Sequence, residues 1–136
     1  MPLGYDPVPP APAGAINQTG YDEFGIQVYD KILTANQELI DQAVIIDADA
    51  DFIWTKLAGN STGIYEIRFR LPGGRYMSNS RIRNANLIGT AQFGVPVYPY
   101  VFIPAAGKIG IDIKDLSAAG NTVQICLIGW RRFRTK

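Results

Sequence analysis

The chain has 136 residues, of which 47% are hydrophobic. That is one domain's length with enough apolar material for a real core, which argues against global disorder. A formal net charge of +1 argues against a general polyanion binder, the absence of histidine removes the usual general base and His-ligated metal centres, and a lone cysteine, Cys126, excludes an internal disulfide. The 14 glycines and 9 prolines fall between short apolar runs, which points to a turn-rich β protein. Charge is unevenly placed along the chain. Residues 1–60 carry two lysines against nine acids, and residues 61–136 carry eleven basic residues against three acids. Complementary patches, if the fold keeps them apart, favour packing between copies or against a partner subunit.

Residues 1–20 read as an extended arm. Pro2, Pro7, Pro9, Pro10 and Pro12 leave few amide donors for a sheet and favour polyproline-like conformations. No basic start precedes an apolar run there, so no secretory leader is expected. A folded domain is expected over residues 21–136. Phe24, Ile26 and Val28 alternate with Gly25, Gln27 and Tyr29, giving a first strand from Tyr21 to about Leu33. Thr34 to Gln42 reads as a connector, with Asn36 suited to cap a short helical turn.

The stretch Val44 to Trp54 has the clearest pattern. Ile46, Ala48, Ala50, Phe52 and Trp54 occupy even positions, and Asp47, Asp49 and Asp51 stand between them. Period two places the apolar set on one face and the carboxylates on the other, so an extended segment is expected, bent at Ala48–Ala50, with Trp54 in the core. Three alternating acids resemble the start of an EF-hand loop. The match fails at Phe52, where glycine is required, and at Ala58, where a bidentate glutamate belongs, so no metal is assigned.

Gly59 to Gly63 reads as a loop. Tyr65, Ile67, Phe69 and Leu71 alternate with Glu66, Arg68 and Arg70, and Pro72-Gly73-Gly74 is a tight turn, so Arg75 to Ser80 is expected to return as a hairpin partner. Ile82 to Ile88 is ambiguous and compatible with another strand. Val95 to Ile103, punctuated by Pro96 and Pro99, reads as an edge. It is also too interrupted to span a bilayer, so no membrane partner is expected. Ile109, Ile111 and Ile113 form one late strand. Val123 to Trp130 forms another, apolar on both sides as a central strand should be, with Cys126 an inert core thiol. About eight short strands with almost no helix predict an all-β, antiparallel fold, either a sandwich or a jelly roll.

Chemistry is sparse in this pattern. The glycines match no phosphate-cradling motif, and no cofactor is implied. The end of the chain, Trp130 to Lys136, interleaves aromatics with Arg131, Arg132 and Arg134. A short tail on a nearly balanced chain does not make a specific nucleic-acid binder, and these arginines suit carboxylates on another chain better.

Several stretches resemble small structural proteins of tailed bacteriophages. They are Ile45 to Phe52 followed by Trp54, the strand Tyr65–Arg70, Gly74-Arg75, Ser78-Asn79, Ile103 to Gly107, and Asp112 to Gly129 with Asn121 before the last strand. Together they lie within residues 22–130. Within that group the chain is most similar to capsid cement, or decoration, proteins of short-tailed phages. The resemblance implies a non-enzymatic, homodimeric jelly roll, made in the host cytoplasm and bound to the exterior of the virion, where it staples the major capsid protein. Neck and tail proteins share such sandwiches. Candidate subunit-contact residues are Pro7, Pro9 and Pro10 of the arm, Tyr98 and Tyr100 of the edge, and Arg131, Arg132 and Arg134. A competing reading is a carbohydrate- or host-binding sandwich. In it Trp54, Tyr98, Tyr100 or Trp130 would stack on a ligand, and Asp47, Asp49 and Asp51 would hold calcium.

Overall fold

The computed structural model describes residues 20–88 and 94–134. The proline-rich arm, with Pro7, Pro9 and Pro10, lies outside the described residues. Eight strands are present among those described: β1 (Gly20–Leu33), β2 (Glu38–Ile45), β3 (Ala50–Ser61), β4 (Tyr65–Arg70), β5 (Ile82–Arg83), β6 (Val95–Ile103), β7 (Lys108–Asp115) and β8 (Asn121–Arg134). A single helical turn, α1 (Asn84–Leu87), follows β5. The strands form two antiparallel four-stranded sheets, ordered β1-β8-β3-β6 and β2-β7-β4-β5. This interleaved order is that of a jelly roll, one of the two architectures the strand pattern leaves open.

The core lies between the sheets. Tyr65, Ile67 and Phe69 of β4 and Ile109, Ile111 and Ile113 of β7 face Phe52, Trp54 and Leu57 of β3 and Val123, Ile125 and Leu127 of β8, all buried. Trp54 is fully enclosed and stacks edge-on to Phe69 with ring centroids 5.2 Å apart. Its indole N–H donates to the Lys56 carbonyl at 2.7 Å, so burying the ring leaves no polar atom stranded. That carbonyl sits at a bulge in β3 between Trp54 and Lys56. Beside it β8 comes so close that a Cβ on Gly129 would stand 1.8 Å from the Ile53 carbonyl oxygen, so only glycine fits there.

Five expectations need correction. The expected loop Gly59 to Gly63 is strand for most of its length, because β3 runs to Ser61 and pairs Gly59 with Ile125 and Asn60 with Gln124. The supposed connector Thr34–Gln42 already contains the start of β2, which pairs Glu38 with Lys114 and Leu39 with Ile113. Asn36 caps no helix; it sits at φ 59° in the turn between β1 and β2. The aspartate-rich stretch is not one extended segment, because β2 ends at Ile45 and β3 begins at Ala50 in the other sheet. Ala48 is exposed in the intervening turn, which is tied to the β6–β7 turn by Ile46 N–H to Gly107 O and Ala106 N–H to Asp47 O. Arg75–Ser80 is not a return strand. It makes only an isolated bridge from Tyr76 to Arg70, and two-residue β5 takes the place beside β4. Its serines bond locally, as with Ser78 Oγ to the Ser80 carbonyl, and so compete with sheet pairing.

Candidate functional site

The two sheets have opposite outer surfaces. In the β2-β7-β4-β5 sheet, register places Arg83 beside Glu66, Glu66 beside Lys114, and Lys114 beside Glu38. One row therefore alternates in sign across all four strands, the favourable arrangement for neighbours on one face. Arg81 strengthens it by pairing with both Glu38 and Glu66. The next row centres on Asp112, only 2% exposed, which meets Arg68 at 3.5 Å and Arg70 at 3.4 Å and accepts the Asp41 amide at 2.8 Å. Arg70 also reaches Asp41 at 2.5 Å, and Tyr76 lies under the Arg68 guanidinium at 3.5 Å. Burial alone would lift the Asp112 carboxyl. The Asp41 amide, the Tyr76 hydroxyl and the two guanidiniums outweigh it and hold the group below the usual carboxylate range.

Asp115 ties together one end of the sandwich. It is fully buried and accepts hydrogen bonds from Asn36 N, Ser117 N, Ser117 Oγ, Ala118 N and Asn121 Nδ2. Asn121 in turn accepts from Gly63 N and donates to the Ile64 carbonyl, so three connections meet at one carboxylate. Desolvation would raise this group, but the Ser117, Asn36 and Asn121 donors hold it well below the ordinary range. With every lone pair engaged it is a fastening point and not a reactive base.

The outer surface of the β1-β8-β3-β6 sheet is apolar. Phe24 lies beside Trp130, Trp130 beside Ile53, and Ile53 beside Phe102, a second row crossing four strands. Phe24 and Trp130 meet edge to face at 6.1 Å. Beyond them Ile26 pairs with Ile128 and Val28 with Cys126. Phe24, Ile26, Val28, Ile32 and Phe102 are all exposed. Polar rows bound the patch. At one end Arg132 clasps Asp22 with both nitrogens, Nε at 2.8 Å and NH2 at 3.1 Å; at the other, Gln124 donates to Asp30 at 2.9 Å. Cys126 is therefore not the core thiol expected. It is half-buried on this outer face, because period two gives positions 124, 126, 128 and 130 the side away from the other sheet.

The remaining contact candidates separate. On the β6 edge, Tyr98 is 87% exposed and Tyr100 half-buried, in a bulge where Val101 pairs with Trp54 and Pro96 with Lys56. Beside the bulge an open groove of about 600 Å³ is lined by Leu57, Phe69, Leu71, Tyr76, Tyr98 and Tyr100. Nothing in the sequence pattern marks this groove, since its walls come from β3, β4, β6 and the loop after β4. Arg131 and Arg132 meet carboxylates of their own chain, Glu23 at 3.6 Å and Asp47 at 4.0 Å for Arg131, and Asp22 for Arg132. The Arg134 side chain lies outside the described residues. Asp51 is buried and accepts from Ala105 N at 2.9 Å, while Asp47 and Asp49 are exposed. Among the described residues no three acidic or cysteine side chains gather as cation ligands.

No protein-family signature and no curated protein matches this sequence. Among solved structures it is similar to a chain from work described as "Bacillus endospore appendages form a novel family of disulfide-linked pili", at 16% identity and a TM-score of 0.40, covering 94% of this chain and 100% of that one.

Proposed function

We propose that this protein is a non-enzymatic structural component of a phage particle, which binds the outside of the capsid and staples major capsid subunits as a homodimer. The observation that supports the reading is the distribution of side chains. The buried carboxylates Asp112 and Asp115 are engaged in fastening the sandwich, while aromatic and aliphatic groups stand outward on a stiff frame. A stapling protein needs that combination, and a shell with many equivalent sites multiplies modest contacts. Tyr98 and Tyr100, standing off the β6 edge, are the contacts assigned to the shell.

The test is to add the purified chain to heads stripped of their outer proteins. Co-sedimentation and a higher burst temperature are expected, and a Tyr98→Ala/Tyr100→Ala variant should bind at least about tenfold more weakly. Heads that neither retain the chain nor gain heat resistance overturn the reading.

The groove beside Tyr98 and Tyr100 favours a second reading, a host- or glycan-binding module. Trp54 has no part in it, being enclosed in the core. Retention on immobilised glycans, lost in the same double variant, would support this alternative.

A further inference from the structure

We infer that the outer face of the β1–β8 strand pair is the seat of a second copy of this chain, joined by a two-fold axis parallel to the strands that lays β1 of each protomer over β8 of the other. The inference rests on the dimeric reading above and assigns its surface.

Register makes the face self-complementary. Its outward rows run Asp22–Arg132, Phe24–Trp130, Ile26–Ile128, Val28–Cys126, Asp30–Gln124 and Ile32–Thr122. Exchanging β1 for β8 within each row, as the two-fold does, sets Asp22 opposite an arginine and Phe24 opposite an indole. It likewise sets Ile26 opposite an isoleucine and Asp30 opposite an amide. No row brings like charges together, and the three apolar rows fall between two polar ones, the usual anatomy of a protein interface. An isologous contact needs this property of a single surface, that it complement itself.

Exposure fits as well. Phe24, Ile26 and Val28 are 55%, 44% and 48% exposed and stand in three successive rows, a contiguous apolar strip of the kind that marks an interface. Aligned sheets packing face to face are a standard mode for β-sandwiches. Lys56, exposed beside Ile128 on β3, borders the patch on the side away from β1. The β6 edge with Tyr98 stays open for another partner.

The experiment uses the full chain. Its mass by sedimentation equilibrium should double at micromolar concentration, and Ile26→Lys should weaken the dimer about 100-fold or more by placing a cation between apolar rows. Ile45→Lys, at an exposed site on β2 in the other sheet, should leave the dimer unchanged. Both sites are exposed, so thermal melts should show both variants folded. Cys126 gives a second reading, since its alkylation should slow as concentration rises through the dimer range. A monomer at all concentrations overturns the inference, as does a dimer broken by Ile45→Lys and not by Ile26→Lys. A monomer that still binds heads refutes this inference and the dimeric part of the reading above while leaving capsid binding in place; a dimer that ignores heads refutes only the capsid reading.

Discussion

Two four-residue rows, one on each side of the molecule, set the comparison: Arg83–Glu66–Lys114–Glu38 and Phe24–Trp130–Ile53–Phe102. Both cross a whole sheet on its outer face, and both obey the same register rules. The first satisfies itself, because each charge has an opposite neighbour in its own sheet and water covers the rest. The second cannot be satisfied within one sheet. Ile53 within it is already buried, but Phe24 and Phe102 at its two ends are 55% and 48% exposed, and another surface can cover them. A finished face and an unfinished one on the same sandwich separate what holds the fold from what joins it to something else.

The largest expected effect tests the finished face. Asp112→Ala removes the carboxylate that holds Arg68, Arg70 and the Asp41 amide, and should cost about 2–3 kcal/mol by urea denaturation. Ile26→Ser on the other face should change stability by no more than about 0.5 kcal/mol when measured at high dilution, where linkage to dimerisation vanishes. Equal losses at the two sites would dissolve the distinction.

Acid should separate the faces next. Asp112 and Asp115 have folded pKa values below their unfolded ones, so they contribute stability above about pH 4. That stability is lost as pH falls toward their folded values. Melting temperature should therefore be flat from about pH 8 to 5 and fall steeply below about pH 4, and Asp112→Ala should flatten part of the fall. A melting temperature that rises on acidification contradicts the assignment.

Salt provides a smaller and opposite pair of responses. At about 1 M salt the screening length shrinks to about 3 Å, which should weaken the exposed part of the charged row, while association through the apolar face should hold or strengthen in a sulfate salt. Arg81→Gln, which removes the pairs to Glu38 and Glu66, should cost no more than about 1 kcal/mol, since these groups are partly exposed. Smallest of all is Tyr29→Phe. The Tyr29 hydroxyl is buried with no hydrogen-bond partner among the described residues, so its removal should leave stability within about 1 kcal/mol of the parent or slightly above it.

The sequence carried much of this legibly where period two was unbroken. Tyr65–Phe69 and Ile109–Ile113 are strands with the expected inner faces, and Gly73 and Gly74 take the positive φ of the turn expected there. It was misleading where one pattern ran through a turn. Ile46, Ala50, Phe52 and Trp54 are all buried, as alternation predicts, yet the chain crosses from one sheet to the other between Ile45 and Ala50. Alternation survives such a crossing because both strands point inward at the same core. Tyr98 and Tyr100 could be picked out as edge aromatics, but the groove beside them needs residues from four separate segments.

Composition and alternation by themselves determined an all-β chain, the core side chains of β4 and β7 and most of its strands, because burial on a pleated strand repeats every two residues and is written locally. Which of two apolar faces became core and which stayed outside was decided only in three dimensions. β1 and β8 carry apolar residues at positions of both parities, and nothing local ranks Val123, Ile125 and Leu127 above Cys126, Ile128 and Trp130. The packing of one sheet onto the other made that choice, and it left the second set on the outer face of the protein.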